Sequence, residues 1–439
     1  MDYRKAIQKL FSQSLLALGI KVGNGVLALL MNILIARLLG IEQFGIYAVI
    51  FALLTASTFL GTYGMHISIM QFYPRIEKSH GLEAADYFLW QCFCKLLRQW
   101  AWSFLILLCG AVGYYIYNLY QFETVFIGVY ALPFVVLTAI GLTATEFFCA
   151  ALRLKDRNIS ALAPRDIYWR SVVCFLVWLC LQFKWELSLS WLCISMCLIL
   201  GVMVFKQYKV FLNSLTYTRS TENTPLYDQK EFKKSLIYSW VNMISMSIMF
   251  QSSTLIIGQS LGAAEAGIYF AADRLAFIMS LVTIALTLIA IPILSKAFHH
   301  HYFATLRKLY VMICVGGLTF SLPLLCLIIF YGDHILLYLY HDPLYADGHI
   351  VLIILSSAWF ISTIIGPITT LSQAVGLEKN VFFVSSTTAF VVLILMTVLV
   401  QRYGAVGGAA SVAIALVGQK LSLLLINGRK IFWSFENKA

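Results

Sequence analysis

Apolar runs of about 20 residues recur from Phe11 almost to the C-terminus of this 439-residue chain. Each is long enough to cross the ~30 Å hydrocarbon core of a bilayer as an α-helix, the element that satisfies every backbone polar group within its own segment. So many runs exclude a soluble enzyme carried on one anchor. Composition agrees, because 61% of residues are hydrophobic and 12% charged, against roughly 25% charged in soluble domains. The pattern predicts an all-α integral membrane protein with twelve transmembrane helices near 12–36, 44–69, 99–117, 124–148, 166–183, 187–205, 235–258, 266–294, 309–331, 349–373, 381–401 and 405–427.

The net charge of +11 is sorted by loop and not gathered into the basic stripe of a nucleic-acid binder. Of the 31 Lys and Arg residues, 25 fall in loops on one side of the expected membrane and three, Arg37, Lys184 and Arg402, on the other. Cytoplasmic loops accumulate Lys and Arg, so both termini are expected in the cytoplasm. One missed span would invert every later loop and destroy the asymmetry. Arg4, Lys5 and Lys9 precede an apolar stretch without a small-residue cleavage site, which reads as a retained first helix and not a signal peptide. Tyr114, Tyr115, Tyr117 and Tyr120, and again Tyr331, Tyr338, Tyr340 and Tyr345, crowd span ends as interfacial anchors would. The ten cysteines contain no C-x-x-C and read as packing residues.

The longest polar stretch, Lys206 to Lys234, divides the chain into a six-helix N-terminal lobe (1–205), a cytoplasmic inter-lobe linker (206–234), a six-helix C-terminal lobe (235–431) and a cytoplasmic tail (432–439). A repeat relates the halves. Leu39-Gly40 with Gly45-Ile46-Tyr47 recurs as Leu261-Gly262 with Gly267-Ile268-Tyr269, the pattern L-G-x-x-x-x-G-I-Y at the outer hinge of the first hairpin in each half. Both copies follow an odd-numbered span, so the halves share one orientation, as parallel repeats about a pseudo-two-fold axis along the membrane normal.

Four segments carry a family resemblance. They are Ala36-Arg37-Leu38-Leu39-Gly40 with Phe44-Gly45-Ile46-Tyr47; Gly267-Ile268-Tyr269 through Ala272-Asp273-Arg274-Leu275; Pro292-Ile293-Leu294-Ser295; and Tyr403-Gly404-Ala405-Val406-Gly407-Gly408-Ala409-Ala410. In these the chain resembles the polysaccharide and O-antigen (lipid-linked oligosaccharide) flippases of the multidrug, oligosaccharidyl-lipid and polysaccharide exporter superfamily. The resemblance implies two six-helix lobes around a cleft that opens alternately inward and outward. It also implies passage of an undecaprenyl-pyrophosphate-linked oligosaccharide from the cytoplasmic to the outer leaflet of a bacterial inner membrane, for O-antigen or capsule biosynthesis.

Such a substrate carries an anionic pyrophosphate and a polar glycan, so a carrier needs cations and a polar lining inside its spans. Intramembrane ionisable residues are expensive, which makes each a candidate. Lys21 lies ~13 Å into the first span, among glycines, and with Ser14, Asn24, Ala28 and Asn32 it forms one helix face; the alternative is a snorkelling lysine with glycines serving helix packing. Asp273 and Arg274 enter the eighth span, where Tyr269, Asp273, Ala276, Ser280, Thr283 and Thr287 form a small or polar face; a structural charge pair is the other reading. Lys420 lies toward the cytoplasmic end of the last span, where snorkelling would suffice. The candidate substrate-binding residues are therefore Lys21, Asn24, Asn32, Asp273, Arg274 and Lys420, with no catalytic residue and no metal ligand.

Secondary features have plainer readings. Thr55, Thr58, Thr62 and His66 line the second span, though Thr often bonds its own helix backbone. Glu146 is expected to meet the Arg153 and Arg157 loop, Asn242, Gln251 and Gln373 to bond between helices, and Pro133, Pro323 and Pro367 to kink spans. Gly258-Gln259-Ser260-Leu261-Gly262 matches G-x-S-x-G, but no strand precedes it. His299, His300 and His301 are consecutive and point ~100° apart on a helix, unlike ligands of one metal.

No G-x-x-x-x-G-K-[ST] loop occurs, which argues against ATP as the energy source, and no cofactor is called for. Export of an anion is favoured by an inside-negative potential at about 2.3 kcal/mol per charge per 100 mV, and coupling to H⁺ or Na⁺ stays open. The alternatives to a flippase are a cation-coupled multidrug exporter of the same superfamily, which would favour buried carboxylates, and an integral-membrane glycosyltransferase or polysaccharide polymerase, which would favour paired acids in a sizeable outer loop.

Overall fold

The computed structural model describes residues 3–121, 132–216, 227–299 and 302–432, and every regular element among them is helical. In chain order these are α1 (Tyr3–Gly61), α2 (Met65–His80), α3 (Leu82–Gln121), α4 (Leu132–Leu154), α5 (Asn158–Ala163), α6 (Arg170–Gln182), α7 (Leu189–Leu212), α8 (Gln229–Leu261), α9 (Ala263–Ala276), α10 (Leu281–His299), α11 (Phe303–Tyr340), α12 (His349–Ile365), α13 (Ile368–Ala374) and α14 (Glu378–Phe432). A π-helical turn joins α5 to α6 and a 3₁₀ turn joins α9 to α10. Among the described residues nine helical segments are long and apolar enough to cross a membrane. Two of them, Gly19–His80 with 62 residues and Glu378–Phe432 with 55, are well over double the length of about 20 residues that one crossing needs. Each contains a glycine whose backbone leaves the helix, Gly40 (φ 74°) and Gly404 (φ 61°). Described helices lie over all the expected spans, residues 124–131 of the fourth lying outside the described part.

Contacts within the chain group residues 1–49 with 248–439, and 50–247 by themselves. This grouping differs from the division by span order at 206–234, because the first copy of the repeat packs on the second. In both copies the leading glycine takes the same left-handed, extended backbone, Gly40 at φ 74°, ψ 172° and Gly262 at φ 99°, ψ 174°, which a side chain would oppose. The trailing glycines then meet. A Cβ on Gly45 would stand 1.7 Å from the Ala263 carbonyl oxygen, and one on Gly267 3.0 Å from the Ile41 oxygen and 3.2 Å from the Gly45 Cα. Small residues allow this backbone approach where lipid offers no hydrophobic drive between helices.

Around that contact Phe44 lies 5.9 Å from both Tyr47 and Phe270 and 6.3 Å from Tyr340 and Tyr345. Tyr340 and Tyr345 are therefore buried core residues, not interfacial anchors, while Tyr331 and Tyr338 stay exposed. The side chains of Tyr114, Tyr115, Tyr117 and Tyr120, and of His299, His300 and His301, lie outside the described residues. At the opposite end of this unit Leu294, Leu306, Ile368, Leu371, Leu423 and Ile431 are the fully buried centre of a cluster drawn from α10, α11, α13 and α14.

The second unit, 50–247, is held by an aromatic core of Phe93, Phe147, Phe148, Tyr208 and Phe211 and by one buried carboxylate. Asp86 accepts from the Tyr73 hydroxyl at 3.1 Å and from the Thr216 backbone N–H and hydroxyl at 2.8 Å each, and is ion-paired with Lys155. The far end of the polar stretch is pinned nearby, Tyr227 packing 5.0 Å from Phe88 and 5.0 Å from Phe232.

Pro133 is the second described residue of α4, residues 122–131 lying outside the described part, so the kink expected there falls outside the described residues. Pro367 does sit in a break, following Gly366 at φ 83°, and α11 continues past Pro323 and departs from helical geometry at Tyr331.

Gly45→Ala is expected to lower the melting temperature of the detergent-solubilised protein by an overpacking cost of about 1–3 kcal/mol. Gly19→Ala, with nothing within 4 Å of its Cβ position, should be neutral or stabilising. Asp86→Ala should cost about 3–5 kcal/mol by stranding Lys155, whose side chain is 11% exposed, and adding Lys155→Met should recover most of the loss in the same melting assay.

Candidate functional site

All six residues expected to contact substrate fall in the unit formed by 1–49 and 248–439. On α1 the expected polar face is the inward one, since Val22, Val26 and Leu30 are exposed while Asn32 is 2% exposed. A Cβ on Gly25 would lie 2.7 Å from the Leu281 side chain, which seats this face against the start of α10. Asn32 donates its Nδ2 to the Ala28 carbonyl of its own helix at 2.8 Å. Its Oδ1, that of Asn24 and the Oε1 of Gln251 are buried with no hydrogen-bond partner. An unspent buried acceptor costs roughly 1–3 kcal/mol, and these three amide oxygens all belong to this unit. Lys21 is half-buried, and the Ser14 side chain lies outside the described residues.

Asp273 and Arg274 are brought together, Nη2 to Oδ2 at 3.4 Å, although adjacent helical residues project ~100° apart. The guanidinium also lies 4.5 Å over the Phe270 ring, a cation–π contact strengthened by desolvation. Arg274 stands in the last turn of α9, where the helix dipole favours a cation. Directly beyond it the chain passes through the 3₁₀ turn Phe277–Ser280 before resuming as α10.

Lys420 is placed differently. Its Nζ donates to the Ser362 carbonyl at 2.9 Å and the Gly366 carbonyl at 3.1 Å, closing the C-terminal end of α12 where Gly366 and Pro367 break the chain. This is a capping role and not snorkelling, and a distant carbonyl partner is invisible to sequence spacing. Arg37 does the same for α11, its Nε bonded to Leu339 O at 2.7 Å and its Nη2 to Tyr338 O at 3.1 Å.

The hydroxyl stripes are largely spent on their own helices. Thr55 bonds Phe51 O at 2.8 Å, Thr58 bonds Leu54 O at 2.8 Å and Thr62 bonds Phe59 O at 3.0 Å. Ser280 bonds Phe277 O at 2.7 Å and Thr287 bonds Thr283 O at 2.6 Å. Thr283 instead reaches Thr363 of α12 at 3.3 Å.

In the second unit, Glu146 pairs with Arg165 and not with the Arg153 and Arg157 loop, and Arg165 also holds the buried Asp166 at 3.1 Å. His66 lies beside Glu146 and Arg165 with its Nδ1 buried and unbonded. The sequence reading counts Arg165 only as a loop cation and does not single out Asp166, because both sit at a span edge, where charges are ordinary; the adjacent Pro164 was the available signal. Among the described residues no group of His, Cys, Asp or Glu is arranged to hold a metal ion.

A family model for a polysaccharide biosynthesis protein matches residues 12–298. No curated protein sequence matches the chain. Solved structures do share the fold. An inward-facing multidrug resistance MATE family transporter of the MOP superfamily aligns with a TM-score of 0.74 at 12% identity, covering 97% of this chain and 100% of that one. The lipid II flippase MurJ in an inward closed conformation gives 0.70 at 17% identity, covering 96% and 89%. An outward-facing MATE family transporter gives 0.68 at 14%, covering 98% and 96%.

Lys420→Met is expected to destabilise the protein by about 1–3 kcal/mol, because two carbonyls at the α12 end lose their donor. Lys420→Arg should retain most of the stability, with thermal melts of the purified variants as the measurement.

Proposed function

Because the chain belongs to the polysaccharide biosynthesis protein family, we propose that it is a flippase that carries an undecaprenyl-pyrophosphate-linked oligosaccharide from the cytoplasmic to the outer leaflet of a bacterial inner membrane by alternating access. The carrying observation is the inventory of the first unit, in which Lys21, Arg274 and Lys420 stand within apolar spans against the single acid Asp273. That excess of positive charge suits a pyrophosphate, whose bare transfer into hydrocarbon would cost tens of kcal/mol.

The geometry supports the following roles in this reading. Lys21 and Arg274 attract the anion, Asp273 holds the Arg274 guanidinium in place, and the amide oxygens of Asn24 and Asn32 accept from glycan hydroxyls. Lys420 supports the site by holding the α12 end and is assigned no direct contact. Substrate moves without covalent chemistry, so no catalytic group is assigned. Energy from the membrane potential, or from H⁺ or Na⁺, is compatible with this scheme.

The coupled drug exporter is the second reading. Its support is the pair of carboxylates Glu146 and Asp166 in the second unit, a feature that ion coupling would use. Both already face Arg165, which lowers the demand for an external cation and keeps the flippase as the preferred reading.

In liposomes loaded with a fluorescent undecaprenyl-pyrophosphoryl sugar, purified protein should render the label accessible to an external quencher. Lys21→Ala and Arg274→Ala should each reduce the rate at least tenfold, a loss of about 1.4 kcal/mol in transition-state stabilisation or more; Lys21→Ala should melt as wild type does, whereas Arg274→Ala should melt lower because Asp273 loses its partner. Unchanged flipping by both variants would sink the cationic site, and gradient-driven uptake of lipophilic cations without flipping would establish the exporter.

A further inference from the structure

A groove of about 840 Å³ lies wholly within the second unit, between α3, α4 and α7. Its walls are apolar and include Phe93, Trp100, Leu137, Phe148, Gly201 and Phe205. Lining residues on α4 run from Phe134 to Phe148, about 21 Å of helix at 1.5 Å per residue. On α7 they run from Cys197 to Tyr208, and on α3 from Phe93 to Trp100. In each helix these are the residues toward the end that the Lys and Arg sorting assigns to the cytoplasm. The groove therefore extends from that interface to about the middle of the bilayer. One leaflet with its headgroup layer is likewise roughly 20–22 Å deep.

Its mouth is cationic. The Lys209 Nζ stands 4.6 Å over the ring of Phe205, itself a wall residue. Lys206 neighbours the same ring in sequence, and the exposed Arg98 follows the wall residue Leu97 on α3. The nearby acids are already engaged, Asp86 with Lys155 and Glu146 with Arg165. Basic mouths between spanning helices on the cytoplasmic side recognise anionic lipid headgroups.

We propose that this groove is a binding site for one anionic phospholipid of the cytoplasmic leaflet, with an acyl chain along α4 and α7 and the phosphate at Lys209. The depth of a single leaflet favours an acyl chain over a longer polyprenyl chain. The site is independent of the transport reading, since none of its residues belongs to the candidate substrate site.

Gly201 supplies the test. It is helical and exposed on α7, and nothing lies within 4 Å of its Cβ position. Gly201→Leu therefore fills the groove without a backbone clash and raises helix propensity. Native mass spectrometry of the full chain in detergent, titrated with phosphatidylglycerol or with phosphatidylethanolamine of the same chains, reads the occupancy. Wild type should hold one phosphatidylglycerol in preference to phosphatidylethanolamine. Gly201→Leu should bind at least tenfold more weakly, and Lys209→Gln should lose about fivefold of the headgroup preference while still folding, as a rim substitution. Equal binding of the two lipids by wild type, or unchanged binding in both variants, would overturn the proposal. Preferential retention of undecaprenyl phosphate over phosphatidylglycerol would overturn it too, and would leave the flippase assay unaffected.

Discussion

The contact of Gly45 with the second copy of its own motif is the constraint on which much of the larger unit depends. No side chain takes part. Two helix starts approach closely enough that a methyl group on Gly45 would overlap a carbonyl oxygen, and such an approach is available only where both chains are reduced to backbone. Gly40 and Gly262 set it up by turning each chain through the same left-handed conformation. Its consequence is that α1 up to Val49 groups with the C-terminal half of the chain, so Lys21, Asn24 and Asn32 share a unit with Asp273, Arg274 and Lys420.

Within that unit the cations are handled by distinct physical means. Arg274 has a carboxylate, an aromatic face and the end of a helix dipole. Lys420 has two carbonyls exposed by a helix break, and Arg37 has two more at the end of α11. In an apolar solvent a cation without such support would be expelled or neutralised. Lys420 closes a helix end, whereas Arg274 is held by a neighbouring carboxylate and an aromatic face. That distinction separates Lys420 from Arg274, although both are basic residues within expected spans.

Charge in the second unit is organised around acids. Asp86 gathers α2, α3, the turn after α4 and the start of the polar stretch into one buried network, and Arg165 serves Glu146 and Asp166 together. Such networks fix geometry because breaking one member strands another in low dielectric. In the same unit the groove between α3, α4 and α7 is the converse, apolar along its length and cationic at one end.

The helical class, the membrane environment, the repeat and the buried face of α1 were legible in the sequence, because each follows from local periodicity: runs of about 20 apolar residues, a motif at a fixed place in two hairpins, and polar groups spaced near whole helical turns. Tertiary structure alone decided which charges meet. Glu146 finds Arg165 and not its nearer basic loop, Lys420 finds the broken end of α12, Asp86 finds Thr216, and Tyr340 and Tyr345 turn inward onto Phe44. Those partners are separated by up to hundreds of positions, or lie at span edges where a charge is unremarked, and the free energy that selects them is desolvation. Desolvation depends on which surfaces are closed when helices pack, a quantity that no local pattern of residues contains.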